Sequence, residues 1–61
     1  MNAVTRIENE KRGSQQGPFW TVPPSLADFN AHIDEMNQKG YKLLQSIYVG
    51  EGYTLFWELV K

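Results

Sequence analysis

The hydrophobic positions between residues 26 and 39 recur every three or four residues, which predicts one amphipathic helix. They share one stripe of that helix and are Leu26, Phe29, Ile33 and Met36. Ser25 stands just before the stripe, where its hydroxyl can accept a hydrogen bond from the first turn. Gly40 suits the left-handed backbone conformation that ends many helices. The pattern therefore predicts a helix over about 26–39.

After Gly40 the spacing of the hydrophobic positions changes to two, which predicts two strands over 41–49 and 53–60. The glycine-bearing segment 50–52 between them predicts a hairpin loop. In the register that we predict, Val49 faces Tyr53 and Leu43 faces Leu59. This register turns nearly every large odd-numbered side chain toward the helix, and a slip of one residue would turn the whole set to water.

The even-numbered side of this hairpin is more apolar than a solvent-facing sheet surface should be. A sheet that a helix covers on one side only is expected to be polar on the other side. The large apolar exceptions are Leu44, Tyr48, Phe56 and Val60. We expect this even face to be covered by the N-terminal segment, by a second copy of the chain or by a partner.

The first 22 residues leave two interpretations open. Residues 3–7 favour a strand by composition, whereas residues 8–17 are polar and rich in residues that break regular structure. Residues 1–17 are therefore either a flexible arm that orders on binding, or an edge strand at 3–7 followed by a long hairpin connection. Residues 18–22 predict a short strand that pairs with one strand of the hairpin. Its neighbours Phe19 and Trp20 point to opposite faces, and which of them faces the helix stays open.

These elements predict the α+β class, with a single helix packed on a small antiparallel sheet in the order β-α-β-β over residues 18–61. From Phe19 onward the layout resembles small bacterial and phage domains of unknown function. The resemblance lies in segment 36–44, where a helix ends in a glycine-aromatic step, and in segment 50–53, a glycine-containing turn into an aromatic-rich strand. Those domains often carry tryptophan where this chain has Tyr41. The resemblance implies the fold and implies no catalytic residue.

A chain of 61 residues forms one domain at most and buries only about 60% of the surface that its unfolded form exposes. It has no cysteine and a single histidine, so we expect neither disulfides nor a structural zinc site, and no other metal or cofactor. Such a small domain usually needs an additional source of stability. By elimination, self-association is the source that we expect, as a homodimer or a higher homo-oligomer.

The charged side chains are balanced and dispersed. Six basic and seven acidic residues give a net charge of −1, and no basic cluster is dense enough to follow a phosphate backbone. This distribution argues against general nucleic-acid binding. No apolar run is long enough to span a bilayer, and residues 1–17 lack the apolar core of a signal peptide. We therefore expect a soluble cytoplasmic protein, or one that acts inside a host cell.

Catalysis has little support in the sequence. His32 is the only side chain that ordinarily exchanges a proton near neutral pH, and Asp28 and Glu35 are at neighbouring helix positions. No nucleophile and no oxyanion site accompany it in the sequence pattern. We therefore interpret His32 as a partly solvated histidine at the edge of the apolar stripe, and we expect the protein not to be an enzyme.

The aromatic side chains, 13% of the chain, are the remaining functional signal. Tyrosine and tryptophan are over-represented at binding hot spots. Our first hypothesis is a non-enzymatic protein-binding module that self-associates, in the manner of phage or mobile-element inhibitors of host proteins. Its partner-binding residues are Trp20, Leu44, Tyr48 and Phe56. The alternative is an oligomer that binds or sequesters a nucleotide-like ligand through Arg6, Arg12, Lys42 and Tyr48.

Overall fold

The computed structural model describes residues 2–13 and 16–60. Residues 1, 14 and 15 of the predicted arm at 1–17, and residue 61 of the predicted domain at 18–61, lie outside the described part. One helix packs against a small antiparallel sheet, which confirms the predicted α+β class. The elements are β1 (Asn2–Glu8), β2 (Glu10–Gly13), β3 (Phe19–Val22), α1 (Leu26–Gln38), β4 (Tyr41–Tyr48) and β5 (Gly52–Leu59). The main sheet has the strand order β1-β5-β4, and β2 pairs with β3 in a separate two-stranded ribbon.

The helix begins and ends as its sequence predicts. The Ser25 hydroxyl accepts a hydrogen bond from the Asp28 backbone N–H at 3.1 Å, which satisfies one of the free donors of the first turn. Lys39 is the C-cap, and Gly40 follows with a φ of 92°. This left-handed conformation favours glycine, and the chain uses it to leave the helix and enter β4 directly.

The third strand of the main sheet comes from the N-terminus. β1 pairs with β5 along seven residues and places Thr5 opposite Leu55. The prediction that residues 18–22 pair with the hairpin is wrong, because β3 pairs with β2 instead and places Trp20 opposite Arg12. The lengths of the two strands explain why β1, and not β3, pairs with β5. β1 matches nearly the whole of β5, whereas β3 has four residues and is followed by two prolines, which donate no ladder hydrogen bonds.

The predicted register of the β4–β5 hairpin is also wrong, because the loop is one residue shorter than the glycines suggested. Gly50 and Glu51 both have positive φ, 60° and 58°, as a two-residue type I′ turn requires. The turn is closed by a hydrogen bond from the Val49 N–H to the Gly52 carbonyl at 2.9 Å. Tyr53 therefore faces Tyr48 rather than Val49.

A β-bulge at Leu44 then restores the predicted alternation in the first half of β4. Leu43 pairs with Trp57 and Gln45 pairs with Phe56, so that Leu44 is the extra residue. Directly opposed residues of an antiparallel pair point to the same face. Before the bulge the odd-numbered residues of β4 face the helix, and after it the even-numbered ones do. Tyr48 therefore lies on the helix side of the sheet, which corrects its predicted place on the even face.

The core lies between α1 and the centre of the sheet. Leu55 and Trp57 of the central strand are fully buried, and Met36 of the helix is 6% exposed. Phe29 packs edge-on against Tyr53, with ring centroids 5.1 Å apart. The molecule is nevertheless extended, with a longest dimension of 47 Å and a radius of gyration of 13.8 Å. A compact chain of this length has a radius of gyration of about 10.5 Å.

Candidate interaction surfaces

Many of the large apolar side chains are exposed. In the described part of the chain, three apolar residues are buried, namely Met36, Leu55 and Trp57. Nine large hydrophobic residues are exposed: Val4, Phe19, Trp20, Leu26, Leu44, Ile47, Tyr48, Val49 and Val60. Scattered exposed apolar residues are ordinary, whereas clustered ones mark contact surfaces. Two clusters can be recognised.

The first cluster lies on the outer face, the side of the three-stranded sheet away from α1. Val4 faces Phe56 across the β1–β5 pair, and Ile47 lies diagonal to Phe56 on β4. Leu44, the bulge residue, is 51% exposed beside them. We name Val4, Leu44, Ile47 and Phe56 the outer patch. The sequence predicted Leu44 and Phe56 for this patch. It missed Val4, because the place of the N-terminal strand was left open, and it missed Ile47, because the bulge reverses the alternation after residue 44.

The second cluster lies on the β2–β3 ribbon. Phe19 and Trp20 are 62% and 56% exposed. Trp20 faces Arg12, whose guanidinium lies 3.3 Å from the Glu10 carboxylate. Gly13 is required in this ribbon, because it has a φ of 109° and a Cβ there would lie 2.5 Å from the Pro18 carbonyl oxygen. Both aromatic rings of the ribbon are therefore largely exposed, and neither belongs to the core beneath the helix.

Asn9 connects the ribbon to the main sheet. Its backbone N–H donates to the Glu51 carbonyl at 2.9 Å, which continues the β1–β5 ladder to the hairpin turn. Its side-chain amide donates to the hydroxyl groups of Thr21 and Tyr48. The orientation of the ribbon therefore depends on a polar junction rather than on apolar packing.

The Arg6 guanidinium is engaged in local hydrogen bonds. It donates to the Glu8 carboxylate, to the Thr54 hydroxyl at 2.9 Å and to the Gly50 carbonyl of the hairpin turn. These contacts tie β1 to the β4–β5 turn across the outer face. Because three of its five N–H donors are engaged and one of them binds a carboxylate, Arg6 is poorly placed to hold a phosphate group.

The residues of the alternative ligand site are not brought together. Arg6 lies on the outer face near the hairpin turn, and Lys42 lies near the other end of β4, opposite Glu58. Arg12 is on the ribbon, and Tyr48 is on the helix side of the sheet. Among residues 2–13 and 16–60, no three histidine or acidic side chains are close enough together to hold a metal ion.

The polar contacts of His32 involve a residue that sequence reasoning missed. Its Nε2 lies 2.7 Å from the Thr5 hydroxyl, which also accepts a hydrogen bond from the Trp57 indole at 2.7 Å. A hydroxyl beside an imidazole is the arrangement of a nucleophile and its base. Here, however, the same oxygen satisfies the N–H of a fully buried tryptophan. We therefore assign this chain of hydrogen bonds to the stability of the core.

A shallow groove lies at the N-terminal end of the helix. Its volume is about 300 Å³, and Pro24, Leu26, Phe29 and Tyr53 line it. No charged side chain lines it, and among these four residues the Tyr53 hydroxyl is the one polar side-chain group, so it lacks the set of converging polar groups that orients a substrate. Within the described ranges, no helix is both long and apolar enough to cross a membrane.

Comparison with other proteins adds no functional information. No family model matches the chain, and neither the curated proteins nor the solved structures contain a significant match. A function is therefore inferred from the surface residues themselves.

Proposed function

We propose that this protein is a non-enzymatic protein-binding module that associates with copies of itself and occupies the surface of a protein partner. The observation that carries the proposal is the imbalance between buried and exposed apolar side chains: three are buried, and nine large ones are exposed in the described residues. Association removes such side chains from water and is favourable for that reason.

The extended shape supports the proposal. The accessible surface is 4564 Å², whereas a compact folded protein of 7.0 kDa exposes about 4,000 Å². A two-stranded ribbon is at best marginally stable in water without packing against other elements. A partner that covers Phe19 and Trp20 would supply the packing that these two residues lack within one chain.

We assign the two clusters different parts. The ribbon presents Trp20 beside Arg12, and these two residue types are among the most enriched at binding hot spots. We infer that the ribbon contacts the protein partner. The sheet, through Leu44 and Phe56 of the outer patch and through Tyr48 on the other side, serves self-association. With no cysteine in the chain, this role suits a reducing cytoplasm.

Two measurements test this function. Sedimentation equilibrium over a hundredfold range of concentration should give a mass above the monomer's 7.0 kDa. Immobilised protein should capture a defined partner from its native host, and Trp20→Ser should lose that partner while remaining folded. Val60→Ser is the matched control, because Val60 is as exposed as Trp20 but lies outside both clusters. A strict monomer that captures no partner in a Trp20-dependent manner would refute the proposal.

A further inference from the structure

We propose that two copies of the chain pair through the free edges of β4, antiparallel and about a twofold axis at Ile47, to form a continuous six-stranded sheet. This inference rests on the proposed self-association and deepens it: the two copies meet at the free edge of β4, the strand that carries Leu44 and Tyr48, while Phe56 lies one strand further in. Within the described residues, β4 pairs with β5 on one side only and lies at the edge of the sheet. An unprotected edge is a template for another strand.

The hairpin turn determines which backbone groups of β4 are free. The Val49 N–H donates to the Gly52 carbonyl, so Val49 points its backbone groups toward β5. Backbone direction alternates along a strand, so Ile47 and Gln45 also point toward β5. The N–H and C=O groups of Ser46 and Tyr48 consequently point toward the free edge. Between the bulge and the hairpin turn, these four groups are the ones that a second strand can use.

One pairing register between two β4 strands uses all four of these backbone groups. If Ile47 faces Ile47 of the second copy, then Ser46 faces its Tyr48, and Tyr48 faces its Ser46. Both of these become hydrogen-bonded pairs, which gives four backbone hydrogen bonds, while the two Ile47 residues form the close pair between them. Centring the axis on Ser46 or on Tyr48 instead brings the bulge or the turn into the pairing, and only one hydrogen-bonded pair remains.

The same register keeps each side chain on its proper face. A twofold axis perpendicular to the sheet leaves both helices on one side and joins the two outer patches on the other. Ile47, 38% exposed in the single chain, packs beside its counterpart at the centre of the joined surface. A shift by one residue would place outer-face residues opposite helix-side residues, which the alternation of the strand forbids.

Charge favours a second copy as the occupant. Residues 45–49 (Gln-Ser-Ile-Tyr-Val) contain no charge, so the paired segment brings no like charges together. The one charged residue of β4, Lys42, falls beside the hairpin turn of the other copy, which carries Glu51. The β1 edge is different, because Arg6 and Glu8 lie within it, and charged side chains protect an edge from pairing.

Cysteine cross-linking tests the register directly, since the natural chain has no cysteine. In the close pair of an antiparallel ladder the Cα atoms are about 4.5 Å apart, a distance that a disulfide can bridge. Ile47→Cys should form a covalent dimer under mild oxidation about tenfold faster than Val4→Cys, because pairing raises the effective concentration of the thiol. Val4 is the control because it is exposed on the same outer face but lies on β1.

Charge variants provide the second test. Ile47→Glu should raise the dissociation constant of the dimer about tenfold, since like charges directly opposite each other destabilise a strand pair. Mixing Ile47→Glu with Ile47→Lys should restore a heterodimer, and Val4→Glu should leave the dimer intact. Circular dichroism establishes that each variant is folded.

The outcomes separate this inference from the proposed function. A wild-type dimer that survives Ile47→Glu, with no rapid cross-linking of Ile47→Cys, overturns the β4 pairing but leaves self-association standing. A wild-type protein that is monomeric at all concentrations overturns both the β4 pairing and the self-association. If the wild type is monomeric and Ile47→Glu abolishes capture of the defined partner, then the edge accepts a strand of that partner, and pairing with a second copy is refuted.

Discussion

Replacing Thr5 with valine tests the hydrogen-bond chain that links β1, β5 and the helix. The Thr5 hydroxyl accepts the indole N–H of Trp57 at 2.7 Å and contacts His32 Nε2 at the same distance. Trp57 is fully buried, so no water replaces the lost acceptor. A buried donor left without a partner costs about 1–3 kcal/mol. We expect Thr5→Val to lower the free energy of unfolding by that amount.

Thermal denaturation measures this loss. A change of 1 kcal/mol shifts the melting temperature of a domain this small by about 4–8 °C, so Thr5→Val should melt at least 4 °C lower. All variants are compared at one protein concentration, because association makes the melting temperature depend on concentration. Hydrogen exchange of the Trp57 indole, followed by nuclear magnetic resonance, should accelerate in the same variant.

Two further substitutions control for the loss of the hydroxyl. Thr5→Ser keeps the acceptor and should retain most of the indole protection. Thr54→Val removes a hydroxyl that binds the partly exposed Arg6 guanidinium, where water can replace it, and should cost less than about 0.5 kcal/mol. If Thr5→Val is as stable as Thr54→Val and its indole stays protected, the proposed structural role of the network is wrong.

Three other changes test the packing and the local geometry. Leu55→Ala removes a fully buried side chain and should cost about 2–5 kcal/mol, whereas Leu26→Ala, at a site 75% exposed, should cost far less; chemical denaturation distinguishes the two. Gly52→Ala would place a Cβ 2.8 Å from the Ile7 carbonyl oxygen and should destabilise the β1–β5 pair by about 1–3 kcal/mol, seen as faster amide exchange in β1. Ser25→Ala removes the N-cap and should cost about 1 kcal/mol, while Ser25→Asp should leave the melting temperature nearly unchanged.

Local patterns in the sequence were sufficient to predict the helix and the existence of the hairpin strands. The stripe at 26–36, the Ser25 cap and Gly40 act within one or two turns of chain, so their effect does not depend on distant residues. The same holds for the strand at 3–7, which the composition favoured and which β1 contains. These elements follow from local propensity and periodicity, and they determine the fold class.

The tertiary structure decided which strands pair, in which register, and which polar groups meet. The positive φ at Glu51 shortens the loop, and the bulge at Leu44 moves Ile47 to the outer face and Tyr48 to the helix side. Which strands pair depends on matches between distant parts of the chain. The seven-residue β1 pairs with β5, at the place predicted for the four-residue β3. The hydrogen bond between Thr5 and Trp57 joins residues that are 52 positions apart in the sequence. Local periodicity does not predict a contact over that separation.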